Sequence, residues 1–462
     1  MRILAAFALL VSTAAAELRI GRGLEKITPP AGMPMGGGFT IRPSTAIHDD
    51  LFCKALAFEF NGARAATVTC DVESLHRPTV AAARRLIEDT TPLRGDHVMI
   101  TATHSHSGPE MTPLVLDGAT GETGAIARAY HEALPEKIAA AVRLAFADLA
   151  PARVSAGLAR EYSVSFNRRF HMTGGGVRTN PGPMNPAILR PAGPIDPEVR
   201  IASFDSPAAE PLATAVNFAL HTTSWGGPEI SADYPGILAR LLGEARSPRM
   251  MTVFFQGCSG NINQVNVKTR EKQSGPPVAH RIATILAGDV LRAYSELEPL
   301  TIGSLAVRSE TVHLPVPYYS DAERDQAWTV IRQSRTPGPG QPPFLDLVHA
   351  FRVVNVVDRH NRTAIPTEVQ VIAFGSAMAW VGLPGEVFTE LGMAIKQASP
   401  FAHTFVNELA NDMIDYVPDR KAFPQGGYEP ATARCAAGCG EMLVDTATRL
   451  LVEMFSAAKP TK

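Results

Sequence analysis

Apolar and polar residues along the chain switch repeatedly between a two-residue period and a three-to-four-residue one. Residues 54–60 (KALAFEF) and 64–70 (RAATVTC) read as short strands around Asn61-Gly62, a dipeptide that favours a tight hairpin turn. Residues 78–89 and the Ala-rich 124–149 instead place their apolar positions on one helical face. The alternation returns downstream, with strand 213–220, helix 235–245, strand 250–255 and helix 275–297. Strands and helices mixed in this way predict an α/β fold with a mixed β-sheet core flanked by helices. Two stretches break the rhythm. Residues 171–197 are crowded with Gly and Pro, and 334–344 contain GPGQPP. Both read as long surface loops, because helix and strand signals resume at once. No internal repeat is visible, so residues 17–462 are expected to form one large domain.

Composition narrows the setting. A net charge of −2 and a pI near 6.7 leave no basic footprint for nucleic acid. The first residues, MRILAAFALLVSTAAAEL, have the form of a signal peptide. Arg2 is followed by an apolar run and by Ala14-Ala15-Ala16, which places cleavage before Glu17 and the mature chain outside the cytoplasm, secreted or periplasmic. No later segment reaches the roughly 18 apolar residues of a membrane span. Export makes disulfides possible. In the hairpin register Cys53 falls opposite Cys70 and Glu59 opposite Arg64; a disulfide there and two small buried residues are equally good readings. Cys435 and Cys439 are open in the same way, as a pair or as two unlinked thiols.

Candidate chemistry gathers where apolar runs stop. THSHSGPE, residues 103–110, ends one of them. If the strand reaches His104 and His106, their side chains share a face, as two metal ligands or as one ligand beside a general acid/base. Two polar residues capping a strand end is the plainer alternative. His221 closes the run 213–220 in the same fashion. Glu386 follows Leu383-Pro384-Gly385, either as a carboxylate aimed into a cleft or as an acid in a first helical turn. The loop QGCSGNINQ could offer backbone N–H groups to an anion, or be an ordinary Gly-rich turn. No G-x-S-x-G elbow occurs.

Taken in order, ITPPAGMPMGG, ATHSHSGPE, FNRR, NFALHTTSW, GCSGNINQ, LPGE and DYVPDRKAFPQGGYE resemble the neutral/alkaline, non-lysosomal ceramidase family over most of the chain. The resemblance implies one zinc ion per chain, held by His104, His221, Glu386 and Tyr416. It places His106 beside the metal as the proton-handling group. Arg168, or its neighbour Arg169, and Tyr428 are implied to steady charge developing on oxygen. Asn263 stands where the family has a serine; its amide can donate to an oxyanion but cannot act as a nucleophile. The implied reaction is hydrolysis of the N-acyl bond of ceramide, or of another N-acyl lipid, to fatty acid and sphingoid base, with peripheral membrane contact. Two rivals accompany it: another acyl amide or ester at the same site, or a secreted binding protein without turnover. The family's C-terminal β-sandwich is expected to be missing, since only a helix-like stretch, EMLVDTATRLLVEMF, follows Tyr428 at a distance.

Overall fold

Asn61 and Gly62 both take positive φ, and the hairpin they close joins Phe52–Phe60 to Ala63–Cys70. Its register sets Cys53 opposite Cys70 and Glu59 opposite Arg64, as the sequence predicts. The two cysteines form a disulfide across a close strand pair, with Cα atoms 4.1 Å apart. The computed structural model describes residues 17–336 and 338–459. The expected signal segment, residues 1–16, lies outside them.

Arg19–Lys26 extends the hairpin on one side, and Val98–Ala102 joins Ala63–Cys70 in parallel on the other. The outer face of this first sheet is covered by helices Arg77–Thr90 and Gly121–Ala147. The longer helix lies so close to Arg19–Lys26 that a Cβ on Gly21 or Gly23 would sit 1.8 Å from a helix carbonyl oxygen. Only glycine fits there.

A second sheet holds Arg153–Arg160, Glu198–Asp205 and Pro211–Phe218 in antiparallel order, with Met251–Gln256 parallel to Pro211–Phe218. Helices Asp233–Arg246 and Pro276–Ala293 cover it. The third sheet runs Leu305–Pro315, Ala364–Phe374 and Met378–Gly382, then adds His403–Asn407 in parallel, under helices Thr389–Ala398 and Cys439–Ala458. The inner faces of all three sheets contribute to one core. Trp380 is fully buried there, with the rings of Phe58, Phe204, Phe255, Phe374 and Phe405 between 5.1 and 6.4 Å away.

Each sheet therefore repeats one device: antiparallel neighbours, then a last strand added in parallel after a helix. Side chains just beyond the carboxyl ends of such parallel strands are where α/β proteins place their chemistry. Here those ends are followed by Glu73, His104, His221, Ser259, Glu386 and Glu408.

One of the two loop expectations needs correction. Residues 171–197 are not a plain loop, because Arg169–Met172, Val177–Thr179 and Ile188–Pro191 pair into a small sheet. Strands of three or four residues leave too little alternation to read among so many Gly and Pro. Residues 334–344 do connect two helices, Asp321–Ser334 and Phe344–Val354; Ser320 and Glu323 form a capping box at the start of the first. No helix among the described residues is long and apolar enough to cross a membrane.

Candidate metal centre

The strand before His104 ends at Ala102, so the pleat does not set the two histidines side by side. His104 instead takes φ +65, in the left-handed region, and the chain turns back through it. His106 is then held by its N–H on the Thr222 carbonyl, 3.1 Å, next to the strand end that carries His221. The imidazole of His106 fills the space over Gly37, where a Cβ would lie 1.9 Å from Nδ1. Gly37 belongs to the PMGG stretch, whose purpose the sequence alone did not disclose. The outcome is convergence: His104 Nε2 lies 2.9 Å from His221 Nε2 and 3.2 Å from His106 Nε2.

Glu386 completes the group, with Oε2 3.3 Å from His104 Nε2 and 3.4 Å from His221 Nε2. It sits in a two-residue strand, Glu386–Val387, directly paired with Tyr416–Val417. The following helix begins only at Thr389, with Phe388 as its cap. Glu386 is thus outside the first helical turn, and attraction to a helix dipole does not explain it.

Hydrogen bonding fixes the tautomers. His104 Nδ1 is 2.8 Å from the Glu73 carbonyl and His221 Nδ1 is 3.2 Å from the Ser259 carbonyl. A carbonyl only accepts, so each Nδ1 carries a proton, and in the neutral ring each Nε2 presents a lone pair. Those lone pairs meet Glu386 Oε2, a buried oxygen with no hydrogen-bond partner of its own. A tetrahedral metal with bonds of about 2.0–2.2 Å has ligand atoms roughly 3.3–3.6 Å apart. The separations to Glu386 match that edge. His104, His106 and His221 form a group that could hold a metal ion.

The electrostatics make the same demand. Burial and the His104 charge hold His221 and His106 well below the usual imidazole range. Burial also pulls His104 down, but Glu386 more than offsets it and leaves it at about 9. The cluster draws in one positive charge, as a proton or as a cation.

Around it stand the other expected residues. Arg168 donates from Nε to Glu429 (2.8 Å) and from Nη2 to the Gly260 carbonyl (2.7 Å), and Nη1 lies 3.5 Å from His221 Nε2. Its guanidinium carbon is 5.2 Å from the centre of the Tyr416 ring. Arg169 instead bonds the Gly426 carbonyl and covers Phe388. The structure therefore brings Arg168, not Arg169, to the histidines. Tyr416 is buried beside Arg168 and Glu386, with burial pushing its hydroxyl up. The Tyr428 ring meets it edge-on at 5.4 Å.

Asn263 is less directly placed. Its Nδ2 donates to Asn180 Oδ1 and its Oδ1 accepts the Val265 N–H, both at 3.0 Å, so its hydrogen bonds stay in its own loop region. Nor is QGCSGNINQ an open anion nest. The N–H groups of Gly257, Gly260 and Ile262 are bonded to the carbonyls of Phe218, Val387 and Ser259. The loop turns carbonyls toward the site instead, those of Ser259 and Gly260.

Two buried acids escaped the sequence reading. Glu408 accepts Ser259 Oγ and the Val387 N–H, both at 2.6 Å, and so ties the loop to the residue after Glu386. Burial pushes it up to about 8. Glu429 clamps Arg168 and also accepts from Thr179 Oγ1 at 2.7 Å. The only signal for Glu408 was its position directly after the short strand His403–Asn407. Beside the cluster is a cavity of about 60 Å³, lined by His106, Glu386, Tyr416 and Tyr428, with Phe351 from the helix Phe344–Val354.

No family model and no curated protein matches the chain by sequence. Solved structures match it by fold. Neutral ceramidase from Pseudomonas aeruginosa superposes with a TM-score of 0.74 at 20% identity, over 97% of this chain and 76% of that one. A ceramidase complexed with C2 gives 0.71 at 19% identity, over 96% and 75%. The chain shares their fold, as the sequence resemblance implies.

Proposed function

We propose that the protein is a zinc-dependent amide hydrolase that cleaves the N-acyl bond of ceramide or a closely related N-acyl lipid. The observation that carries this reading is the meeting of His104, His221 and Glu386 around one point, with His106 at its edge. Tyr416, paired with Glu386 in the strand register, is the fourth ligand of the proposal. Zinc at that point supplies Lewis acidity, which lowers the pKa of water from 15.7 to about 7 and polarises a carbonyl. His106, held low and therefore neutral, accepts a proton as water adds to the carbonyl carbon and returns it to the leaving amine as the C–N bond breaks. Arg168 and Tyr428 face the charge that builds on the carbonyl oxygen. Asn263 keeps one amide hydrogen free of Asn180 and serves at most as a further donor.

The fold likeness to two ceramidases supports the substrate class. Phe344 and Leu345, 57% and 52% exposed on the helix over the cavity, support peripheral contact with a membrane. The opening eighteen residues support an exported chain. The test is release of fatty acid from N-acylsphingosine in detergent, with chelator and after zinc is restored. Chelator-sensitive release is expected; a zinc-loaded protein that releases none contradicts the reading. One observation favours a variant: about 60 Å³ admits an amide group but not a long acyl chain. A series of N-acyl amides and esters of rising chain length separates the two, since only the lipid reading expects rates to rise with length.

A further inference from the structure

A larger cavity lies elsewhere, about 740 Å³ between the first and second sheets and the helix Asp233–Arg246, and it shares no lining residue with the one beside the histidines. That volume is in the range of pockets that hold small organic ligands, roughly 300–1,000 Å³. Its wall is largely apolar, with Leu24, Ile237 and Met251 among the lining residues. Into this apolar wall project polar groups that the fold leaves unfinished. Lys54 is 8% exposed, and its one ion pair among the described residues is to Asp71 Oδ2 at 3.7 Å, too long for a hydrogen bond. Asp71 is fully buried and its Oδ1 has no partner. Thr252 Oγ1, also buried, has none. A buried polar group without a partner costs about 1–3 kcal/mol, so two beside a loosely paired lysine need a reason.

The remaining acids of the wall are already engaged. Asp49 accepts from Ser231 Oγ and the Ala232 N–H, Asp50 pairs with Lys26 and Thr28, and Asp148 pairs with Arg22. Among the groups of the wall that reach the cavity, Lys54 is left with donors to spare. We propose that this cavity is a second ligand site, taking a carboxylate with an apolar tail, its head on Lys54 and its tail along Leu24, Ile237 and Met251. Burial pushes the Asp71 carboxyl up, which weakens its hold on Lys54. The site stands on its own residues and does not depend on the proposed hydrolysis. If that hydrolysis holds, the fatty acid it releases belongs to the class this cavity takes.

The test is titration of the full chain with decanoate, followed by calorimetry. One saturable site per chain is expected. Decan-1-ol, with the same tail and no carboxylate, should bind at least about tenfold more weakly, since a charged hydrogen bond contributes about 1.5–3 kcal/mol. Lys54→Met should lose a similar factor, and Ala239→Trp, which fills the cavity from the helix without touching the buried pair, should abolish binding. His221→Ala should leave decanoate affinity unchanged. Absence of a saturable site, or equal affinity in Ala239→Trp, overturns the proposal. So does loss of binding in His221→Ala, which would put the carboxylate at the histidine cluster instead. If Lys54→Met does not fold, Ala239→Trp and the alcohol decide the matter.

Discussion

Arg168 connects the cluster to its surroundings through all three guanidinium nitrogens, two of them bonded to Glu429 and the Gly260 carbonyl and the third 3.5 Å from His221 Nε2. Lysine cannot reproduce that planar fork. Arg168→Lys is therefore expected to lower kcat by roughly 10²–10³-fold, the usual loss when one stabilising donor is removed. Metal content should stay unchanged, since Arg168 is no ligand; a parallel loss of metal would move it into the ligand set. Glu110 gives a second prediction. Burial, with Glu73 adding, pushes its carboxyl from 4.5 up to about 8. Between those values the folded chain binds a proton that the unfolded chain does not, so stability present below pH 4.5 is lost as pH rises toward 8. Glu110→Gln keeps the neutral shape and should flatten that decline in urea midpoints measured from pH 5 to 8. An unchanged slope rejects the assignment. The histidines and Glu386 were legible because each stands where an apolar run stops. Glu408 and Glu429 were not, since an acid after a strand or in the first turn of a short helix is normally a solvated one, and only the fold shows them buried.

At the scale of elements, the hairpin around Asn61-Gly62 was readable down to its register, because a two-residue turn leaves no freedom in the pairing. That same register places Cys53 against Cys70. Replacing both cysteines with alanine removes a link closing 17 residues and should cost up to about 3 kcal/mol, read as a lower urea midpoint in oxidising buffer. No change under those conditions would mean the link is absent in solution. The small sheet within 171–197 was hidden for the opposite reason. Its strands are held by neighbours such as Glu429, which accepts from Thr179, rather than by any pattern of their own. Arg168 and the Asn180 loop reach the site through this region, so its order and the site's order are linked.

For the whole molecule, three sheets close on one aromatic centre and aim the ends of their parallel strands at one point. Periodicity predicts strands but says nothing of which sheets face each other, and Trp380 reads as one more apolar residue in its run. Their shared place at the ends of apolar runs suggested that residues 104, 221 and 386 belong together, and the resemblance of ordered motifs strengthened it. Trp380→Ala should cost about 3–5 kcal/mol, as large core truncations do, and should loosen all three sheets at once in hydrogen exchange. Exchange confined to the third sheet would show that the shared core does not couple them. The most direct test of the convergence itself is a metal count. Elemental mass spectrometry of the purified chain, and of His221→Ala and Glu386→Ala, reads one ligand from the second sheet and one from the third. About one zinc per chain is expected in the parent and almost none in either variant, with the fold retained by circular dichroism. A folded parent that takes up no metal, or variants that keep theirs, would contradict a site built jointly by the three sheets.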